Sequence, residues 1–212
     1  NIIVDGDSIH SDAYIEKLKD KLSVKEILKF ADMLTEQDGE KIFAMQVEAN
    51  SAIAEEGLTG DYGARVGQTL LKSRGGKSVQ ARAVAKAAAG SDARMNGCIM
   101  PVVINSGSGN QGITVTVPVV EYVKDMGLSK DTLYKALSIS NLISIHIKHH
   151  IGKLSAFCGA VSASCGSGAA IAYLKGADYN QICHTISNTL GNVGGIVCDG
   201  AKASCAAKIA SS

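Results

Sequence analysis

The sequence has no tryptophan, only 2 prolines and few aromatic residues, and its charges are almost balanced. The 21 basic and 20 acidic side chains give a formal net charge of +1, without the charge excess or basic stripe of a nucleic-acid-binding protein. Apolar runs are too short to span a bilayer, and no cationic leader with an apolar core opens the chain. Because 46% of the 212 residues are apolar, the chain can bury a core. We expect a soluble, cytoplasmic globular protein with no nucleic-acid or membrane partner.

From the two ends of the chain we expect either a fragment or a processed polypeptide. It begins at Asn1 rather than at methionine, and it ends at Ser211 and Ser212 inside an alanine-rich helical pattern. We therefore expect that part of the active site is missing.

Helical patterns dominate the chain, and no fixed-period repeat is present. Ser23, with Glu26 three residues later, predicts a capping box for a helix that runs to about Leu34. The next helix, over 40–56, has apolar residues in a three-and-four rhythm, which predicts a buried face of Ile42, Met45, Ala49 and Ile53. Further helices are predicted over 63–72, 78–95, 129–150, 154–174 and 178–190, and from about Ala201.

Two segments are less regular. Residues 97–123 contain an apolar stretch, a glycine-rich turn and the segment VTVPVVEYV at 115–123, which is predicted as a buried helix despite Pro118. Residues 1–8 are compatible with a short strand. The predicted fold class is mostly α, a multi-helix globular domain with glycine-rich active-site loops. Residues 1–212 are expected to form a single domain.

The six cysteines are expected to be free thiols, because disulfides suit small secreted scaffolds with poor cores. Cys98 and Cys183 lie in apolar helical settings and are expected to be inert. Asp199 is a plausible N-cap of the last helix, which places Cys198 just outside the helix N-terminus, where a thiolate is favoured. Cys205, inside the same helix, can share a metal or a cluster with Cys198. The third thiol comes from Cys158 or Cys165, between which the spacing does not decide.

Two other patterns offer polar groups. Residues 105–112, NSGSGNQG, contain the GxGxxG spacing, but no helix pattern follows as a dinucleotide site requires, so we expect a cradle for a small carboxylate and amine. His146, His149 and His150 lie on one predicted helix without the glutamate of a metalloprotease motif. We expect one of them to lie near Cys158 as a polar group.

Three segments together carry a family resemblance: NSGSGNQG at 105–112, IGKLSAFCG at 151–159 and CDGAKASCAAK at 198–208, with SDARMNGC at 91–98 in agreement. They resemble the iron–sulfur L-cysteine desulfidases and the related alpha chains of bacterial L-serine dehydratases. The likeness extends from about Gly39 to the C-terminus and corresponds to the cluster-bearing C-terminal half. It implies a [4Fe-4S] cluster with one open iron, held by Cys158, Cys198 and Cys205.

The resemblance implies a β-eliminating lyase that converts L-cysteine to pyruvate, ammonia and hydrogen sulfide, or L-serine to pyruvate and ammonia. Substrate carboxylate and amine would be held by Asn105, Ser106, Ser108, Asn110 and Gln111, with Lys202 as a further positive charge. The general base would belong to the N-terminal half, supplied by the same polypeptide or a partner chain, so the isolated chain is expected to be inactive. A homo-oligomer is compatible with the sequence. The alternatives are a zinc-stabilised helical module and a helical binding protein with inert thiols.

Overall fold

The computed structural model describes residues 12–152 and 155–212, so the strand considered for residues 1–8 lies outside the described residues. Those residues form helices only, with isolated antiparallel bridges between Asn105 and Ser108 and between Phe157 and Val197. The mostly α prediction is therefore confirmed. The helices are α1 (Asp12–Lys19), α2 (Val24–Met33), α3 (Glu36–Thr59), α4 (Val66–Arg74), α5 (Val79–Met95), α6 (Gly109–Met126), α7 (Lys130–Ile151), α8 (Gly159–Leu174), α9 (Tyr179–Val193) and α10 (Cys205–Ser211). None of these helices is both long and apolar enough to cross a membrane.

Several helix starts follow from local side-chain caps. The Ser23 hydroxyl accepts a hydrogen bond from the amide of Glu26, and the Ser129 hydroxyl accepts one from Thr132, at the starts of α2 and α7. Each cap satisfies an amide that the helix itself leaves unpaired. Both helices are confirmed, but the capping box predicted at Ser23 is only half formed, because the Glu26 carboxylate pairs with Lys29. Helix α1 was not predicted from the sequence.

Helix α5 lies at the centre of one side of the fold, because its small side chains let neighbouring helices reach its backbone. A Cβ at Gly57 of α3 would lie 1.9 Å from the carbonyl oxygen of Ala89, and one at Gly67 of α4 would lie 2.4 Å from that of Ala85. Larger residues at these glycines would push the helices apart. Helices α6 and α10 also pack against α5, which therefore connects the early and late parts of the chain.

The remaining core is built around α7 and α8, which pack along each other. Leu137, Ile139 and Ile143 of α7 are fully buried there, together with Ala169 and Ala170 of α8. A second apolar cluster joins α3, α5, α6, α8 and α10, with Ile53, Ile113 and Cys158 among its members. This second cluster supports the region in which the glycine-rich loops meet.

The predicted buried face of α3 is largely wrong. Ile53 is buried, but Ile42 and Met45 are 57% and 73% exposed, and Ala49 is half-buried. The helix instead turns Gln46 and Asn50 inward, because their side chains have distant hydrogen-bond partners. Each donates to the hydroxyl of Thr116, and Asn50 also bonds both the amide and the carbonyl of Val103.

The starts of several helices differ from the predictions. Helix α6 begins at Gly109, earlier than predicted, and continues through Pro118, so a helix does follow the glycines of the 105–112 segment, contrary to the sequence analysis. Helix α8 begins at Gly159, with Cys158 as its N-cap. The last helix begins at Cys205 rather than near Ala201, and Ser204 occupies its N-cap position. Asp199 is not its cap, because its carboxylate pairs with Lys202 and Lys208 instead.

A buried charge network ties α5 to α6. The carboxylate of Glu121 accepts hydrogen bonds from Arg82 at 2.6 Å and Lys86 at 2.8 Å. Burial alone would raise the pKa of Glu121, but the hydrogen bonds and positive charges of Lys86 and Arg82 outweigh burial and lower it. The stabilisation is therefore complete above the ordinary pKa of 4.5 and is lost as the pH falls through the lowered value.

We expect Glu121→Gln to reduce the free energy of unfolding at pH 7 by about 1–3 kcal/mol, because charged hydrogen bonds are lost. As the pH falls below 4.5, the free energy of unfolding should also decrease less in the variant than in the wild type. Urea unfolding followed by circular dichroism from acidic to neutral pH measures both effects. Glu48→Gln, on the exposed side of α3, is the matched control. Equal pH profiles for Glu121→Gln and the wild type would contradict the role of this network.

Candidate active site

Two loops that carry cysteines are held together by backbone hydrogen bonds. The amide of Cys158 donates to the carbonyl of Ile196 at 3.1 Å, and that of Cys198 donates to the carbonyl of Ala156 at 2.7 Å. These bonds form the antiparallel bridge between Phe157 and Val197. Positions far apart in the sequence are therefore fixed next to each other.

Three cysteines line one pocket of about 360 Å³ next to this bridge. Cys158 is buried, Cys205 is half-buried and Cys198 is exposed. The other lining residues come from the glycine-rich loops and from the adjoining helices: Arg94, Gly107, Ser108, Asn110, Gln111, Lys148, Ser155, Phe157, Gly159, Ala160, Gly200, Ala201 and Ile209. The pocket therefore brings together the segments 105–112, 155–160 and 198–209.

The other cysteines do not line this pocket. Cys165 is fully buried between α8 and α9, with its sulfur 4.0 Å from the carbonyl oxygen of Ile186, and burial raises the pKa of its thiol to about 12. Cys98 and Cys183 are half-buried elsewhere. All six thiols are free, as expected, and of the two candidates between which spacing did not decide, Cys158 lines the pocket and Cys165 does not.

Lys208 provides positive charge beside the thiols. Its ammonium group donates to the carbonyl of Val197 at 3.1 Å and pairs with Asp199. The hydrogen bond with Asp199 raises the pKa of Lys208, and the nearby thiols of Cys158 and Cys205 add to the shift. Lys202, considered from the sequence, is exposed and pairs with Asp199 at 3.3 Å.

Among the described residues, no three His, Cys, Asp or Glu side chains stand close enough to hold one metal ion. The three thiols border a shared pocket instead of converging on one point. In an iron–sulfur cluster the thiolates bind different irons, so they surround the cluster rather than one ion. The donor type and the arrangement around a pocket are compatible with a cluster.

The first part of the 105–112 loop is held by internal hydrogen bonds. Asn105 is buried, donates to the side-chain oxygen of Asn141 at 2.9 Å, and accepts from Ser106 and Ser144. Ser106 has a positive φ of 48° and borders a neighbouring pocket. Among the predicted substrate residues, these two therefore lie behind or beside the thiol pocket.

The second part of the loop faces the thiol pocket. Ser108 is the N-cap of α6, but its side chain makes no capping hydrogen bond. Asn110 and Gln111, in the first turn of α6, are both buried and line the pocket. The amide of Gln111 lies against α8, because a Cβ at Gly159 would be 2.5 Å from its nitrogen.

Two cations of the pocket were not among the residues predicted from the sequence. Arg94, at the end of α5, donates to the side-chain oxygen of Asn110 at 3.3 Å, and Lys148 of α7 borders the same pocket. Arg94 lies within the SDARMNGC segment, but only the fold brings that segment to the pocket. The contact of Arg94 with Asn110 joins two different helices, so its place in the pocket is not evident from the sequence.

The histidine cluster lies beside the neighbouring pocket. His149 contacts Asp20 at 2.8 Å and Glu16 at 3.3 Å, which links α7 to the N-terminal part of the described chain. The ring centroids of His146 and His150 are 4.8 Å apart. Burial, and then the charges of His150 and His149, lower the pKa of His146. None of the three histidines lines the thiol pocket.

The fold and the pocket define a helical domain with a thiol-lined, positively charged site. Residues 13–212 match the family model described as the serine dehydratase alpha chain. The chain therefore belongs to the serine dehydratase alpha-chain family, which is a lyase-type enzyme family.

Similar chains occur in several bacteria. The chain is 56% identical over 201 residues to a UPF0597 protein of Desulfitobacterium hafniense, covering 94% of this chain and 46% of that protein. It is 57% identical over 190 residues to a UPF0597 protein of Lachnoclostridium phytofermentans, covering 90% and 45% of the two chains. The chain thus spans less than half the length of these relatives. No solved structure matches it.

The loop before α6 is pinned by a close backbone contact, which gives a testable consequence. A Cβ at Gly112 would lie 1.9 Å from the carbonyl oxygen of Val103. We expect Gly112→Ala to reduce the free energy of unfolding by about 1–3 kcal/mol, as overpacking does. It should also speed amide hydrogen exchange in residues 103–108.

The control is Gly191→Ala in α9, where a Cβ would meet nothing within 4 Å. We expect no loss there and a gain of up to about 1 kcal/mol, since alanine favours helices over glycine. Denaturant unfolding and hydrogen exchange measure both variants. Equal stability of the two variants would show that α6 does not press on this loop.

Proposed function

We propose that this chain is the cluster-bearing part of a [4Fe-4S]-dependent β-eliminating lyase that acts on L-cysteine. The products would be pyruvate, ammonia and hydrogen sulfide. The proposal combines membership of a lyase-type family with the chemistry of the pocket. The observation that carries it is that Cys158, Cys198 and Cys205 line one pocket while Cys165 is buried in the core.

Cys158, Cys198 and Cys205 would hold the cluster through their thiolates. Cys158 is the N-cap of α8 and lies at the positive end of this helix, which stabilises a negative charge bound there. Lys208 adds a positive charge on the side of Cys158 and Cys205. With three protein ligands, a bound cluster keeps one iron open to act as a Lewis acid toward the substrate.

The 105–112 loop would orient the substrate. We propose that Ser108, Asn110 and Gln111 contact its carboxylate and amine, since they line the pocket. Asn105 and Ser106 would act by holding the loop in shape, in keeping with their hydrogen bonds to each other and to α7. This division of roles modifies the expectation that all five residues touch the substrate.

The general base is proposed to come from the part of the enzyme beyond these 212 residues. The described residues that line the pocket provide thiols, amides, hydroxyls and cations but no carboxylate, and Asp199, next to Cys198 in the sequence, is paired with Lys202 and Lys208. That further part would be on the same polypeptide or on a partner chain, and the isolated chain would be inactive. The free thiols support a reducing compartment such as the cytoplasm.

L-Serine is the second candidate substrate, favoured by the description of the matched family as a serine dehydratase alpha chain. It would use the same binding groups and differ in its leaving group. The two candidates are separated by assaying the chain together with its complementary half for pyruvate from each amino acid. A higher kcat/KM for L-cysteine, with stoichiometric sulfide, supports the desulfidase proposal. A higher value for L-serine assigns the dehydratase activity instead.

The ligand assignment predicts which cysteines are needed for iron binding. After anaerobic reconstitution with iron and sulfide, we expect about four irons per wild-type chain and a broad visible absorption. Cys158→Ser, Cys198→Ser and Cys205→Ser should each abolish most of the bound iron and the absorption. Iron and sulfide determination on the purified proteins measures this.

Cys183→Ser and Cys98→Ser are the controls, because these thiols are half-buried outside the pocket. Both should keep the wild-type iron content and colour. Loss of iron from Cys183→Ser would overturn the choice of ligands. A colourless wild-type protein that binds a single zinc would favour the structural-module alternative.

A further inference from the structure

Arg94 is a half-buried cation without a carboxylate partner among residues 12–152 and 155–212. Its guanidinium donates to the side-chain oxygen of Asn110 at 3.3 Å and to the sulfur of Met95 at 3.2 Å, both uncharged acceptors. By contrast, Arg82 pairs with Glu121 and Asp125. A charge that is partly removed from water is costly unless an opposite charge accompanies it. The position of Arg94 in the pocket therefore favours a bound anion.

The N-termini of two helices add to this positive potential. Helices α6 and α8 both begin at the pocket, and neither Ser108 nor Cys158 makes a side-chain capping bond. Their free amides and helix dipoles favour an anion at the same place as the guanidinium. Gly109, the first residue of α6, allows this approach, because a Cβ there would lie 2.3 Å from Nε of Arg94.

Gln111 supplies an independent sign of a ligand. The residue is only 6% exposed, and its side-chain oxygen has no hydrogen-bond partner. Buried polar atoms are nearly always paired, so this acceptor calls for a donor. The pocket is thus lined by an anion-binding group and by a residue with an unpaired acceptor, which match the two ends of an α-amino acid.

We propose that Arg94 binds the α-carboxylate of the amino-acid substrate and that the Gln111 oxygen accepts a hydrogen bond from its α-ammonium group. This inference rests on the proposed function and assigns the recognition of its substrate class. A guanidinium suits the task because it can donate two parallel hydrogen bonds to a carboxylate. Besides its proposed contact with the substrate, Asn110 holds Arg94 in place by accepting its hydrogen bond.

The location of Arg94 separates this role from that of the other cations. Arg94 packs against Gly109 beside the 105–112 loop, whereas Lys208 lies close to the thiols of Cys158 and Cys205. Lys208 is also paired with Asp199, whereas Arg94 has no carboxylate partner in the described part of the chain, so the guanidinium is available for the substrate.

The test is an NMR titration of the chain with L-alanine, which has both the carboxylate and the amine but no leaving group. L-Alaninamide, in which an uncharged amide replaces the carboxylate, is the comparison ligand. We expect L-alanine to shift the amide signals of Gly109 and Gly159 and to bind at least tenfold more tightly than L-alaninamide, the range for a charged hydrogen bond. Equal binding of the two ligands, or no shift with either, would overturn the proposal without any variant.

Variants assign the effect to Arg94. Arg94→Gln should weaken L-alanine binding at least tenfold. Arg94→Lys should bind L-alanine with intermediate affinity, because lysine keeps the positive charge but cannot donate two parallel hydrogen bonds. Arg74→Gln, at the exposed end of α4, is the matched control and should bind as the wild type does. Unchanged L-alanine binding in Arg94→Gln would refute the role of Arg94.

The iron content of the same proteins distinguishes this inference from the proposed function. Arg94→Gln should keep the full iron content after reconstitution. If it loses iron but still binds L-alanine, Arg94 serves the cluster and the inference fails, while the lyase proposal stands. If the wild type binds L-alanine through Arg94 but takes up no iron, the carboxylate site stands and the cluster proposal fails.

Discussion

The candidate site depends on the backbone pairing of residues 156–158 with residues 196–198. Two hydrogen bonds, of 3.1 and 2.7 Å, fix the loop before α8 against the loop after α9. Because α9 packs on α8 and α8 packs along α7, the pairing is supported by the helical core. Without it, Cys158 and Cys198 would belong to separate surface loops. Cys205 then reaches the same pocket at the start of α10, which packs on α5.

Charge is arranged around this pairing in two groups. Lys208 lies beside the thiols, while Arg94 lies beside the amides of the 105–112 loop, and the N-termini of α6 and α8 point to the pocket between them. Under the proposed function, an anionic cluster and an anionic substrate would both lie near these cations. In the described part of the chain, no acidic side chain lines the pocket.

Sequence patterns succeeded where the determining interactions are local. The caps at Ser23 and Ser129 join residues three apart, so the starts of α2 and α7 could be predicted. The inward face of α3 could not, because the hydrogen bonds of Gln46 and Asn50 reach Thr116 on another helix. The choice of Cys158 over Cys165 came from family resemblance, since spacing leaves both on one helix. Cys158 lines the pocket because it stands at the start of α8, whereas Cys165, inside the same helix, is buried in the core. Arg94 was not predicted as a site residue, because its place at the pocket depends on its contacts with Asn110 and Gly109 in another helix.

The central claim is that three thiolates hold a cluster whose fourth iron is open to substrate. Mössbauer spectroscopy of the chain reconstituted with isotopically enriched iron, before and after addition of L-cysteine, tests it most directly. The account predicts about four irons, of which one changes its environment on addition of the amino acid. A spectrum without a cluster, or one in which all irons remain unchanged by L-cysteine, would contradict it.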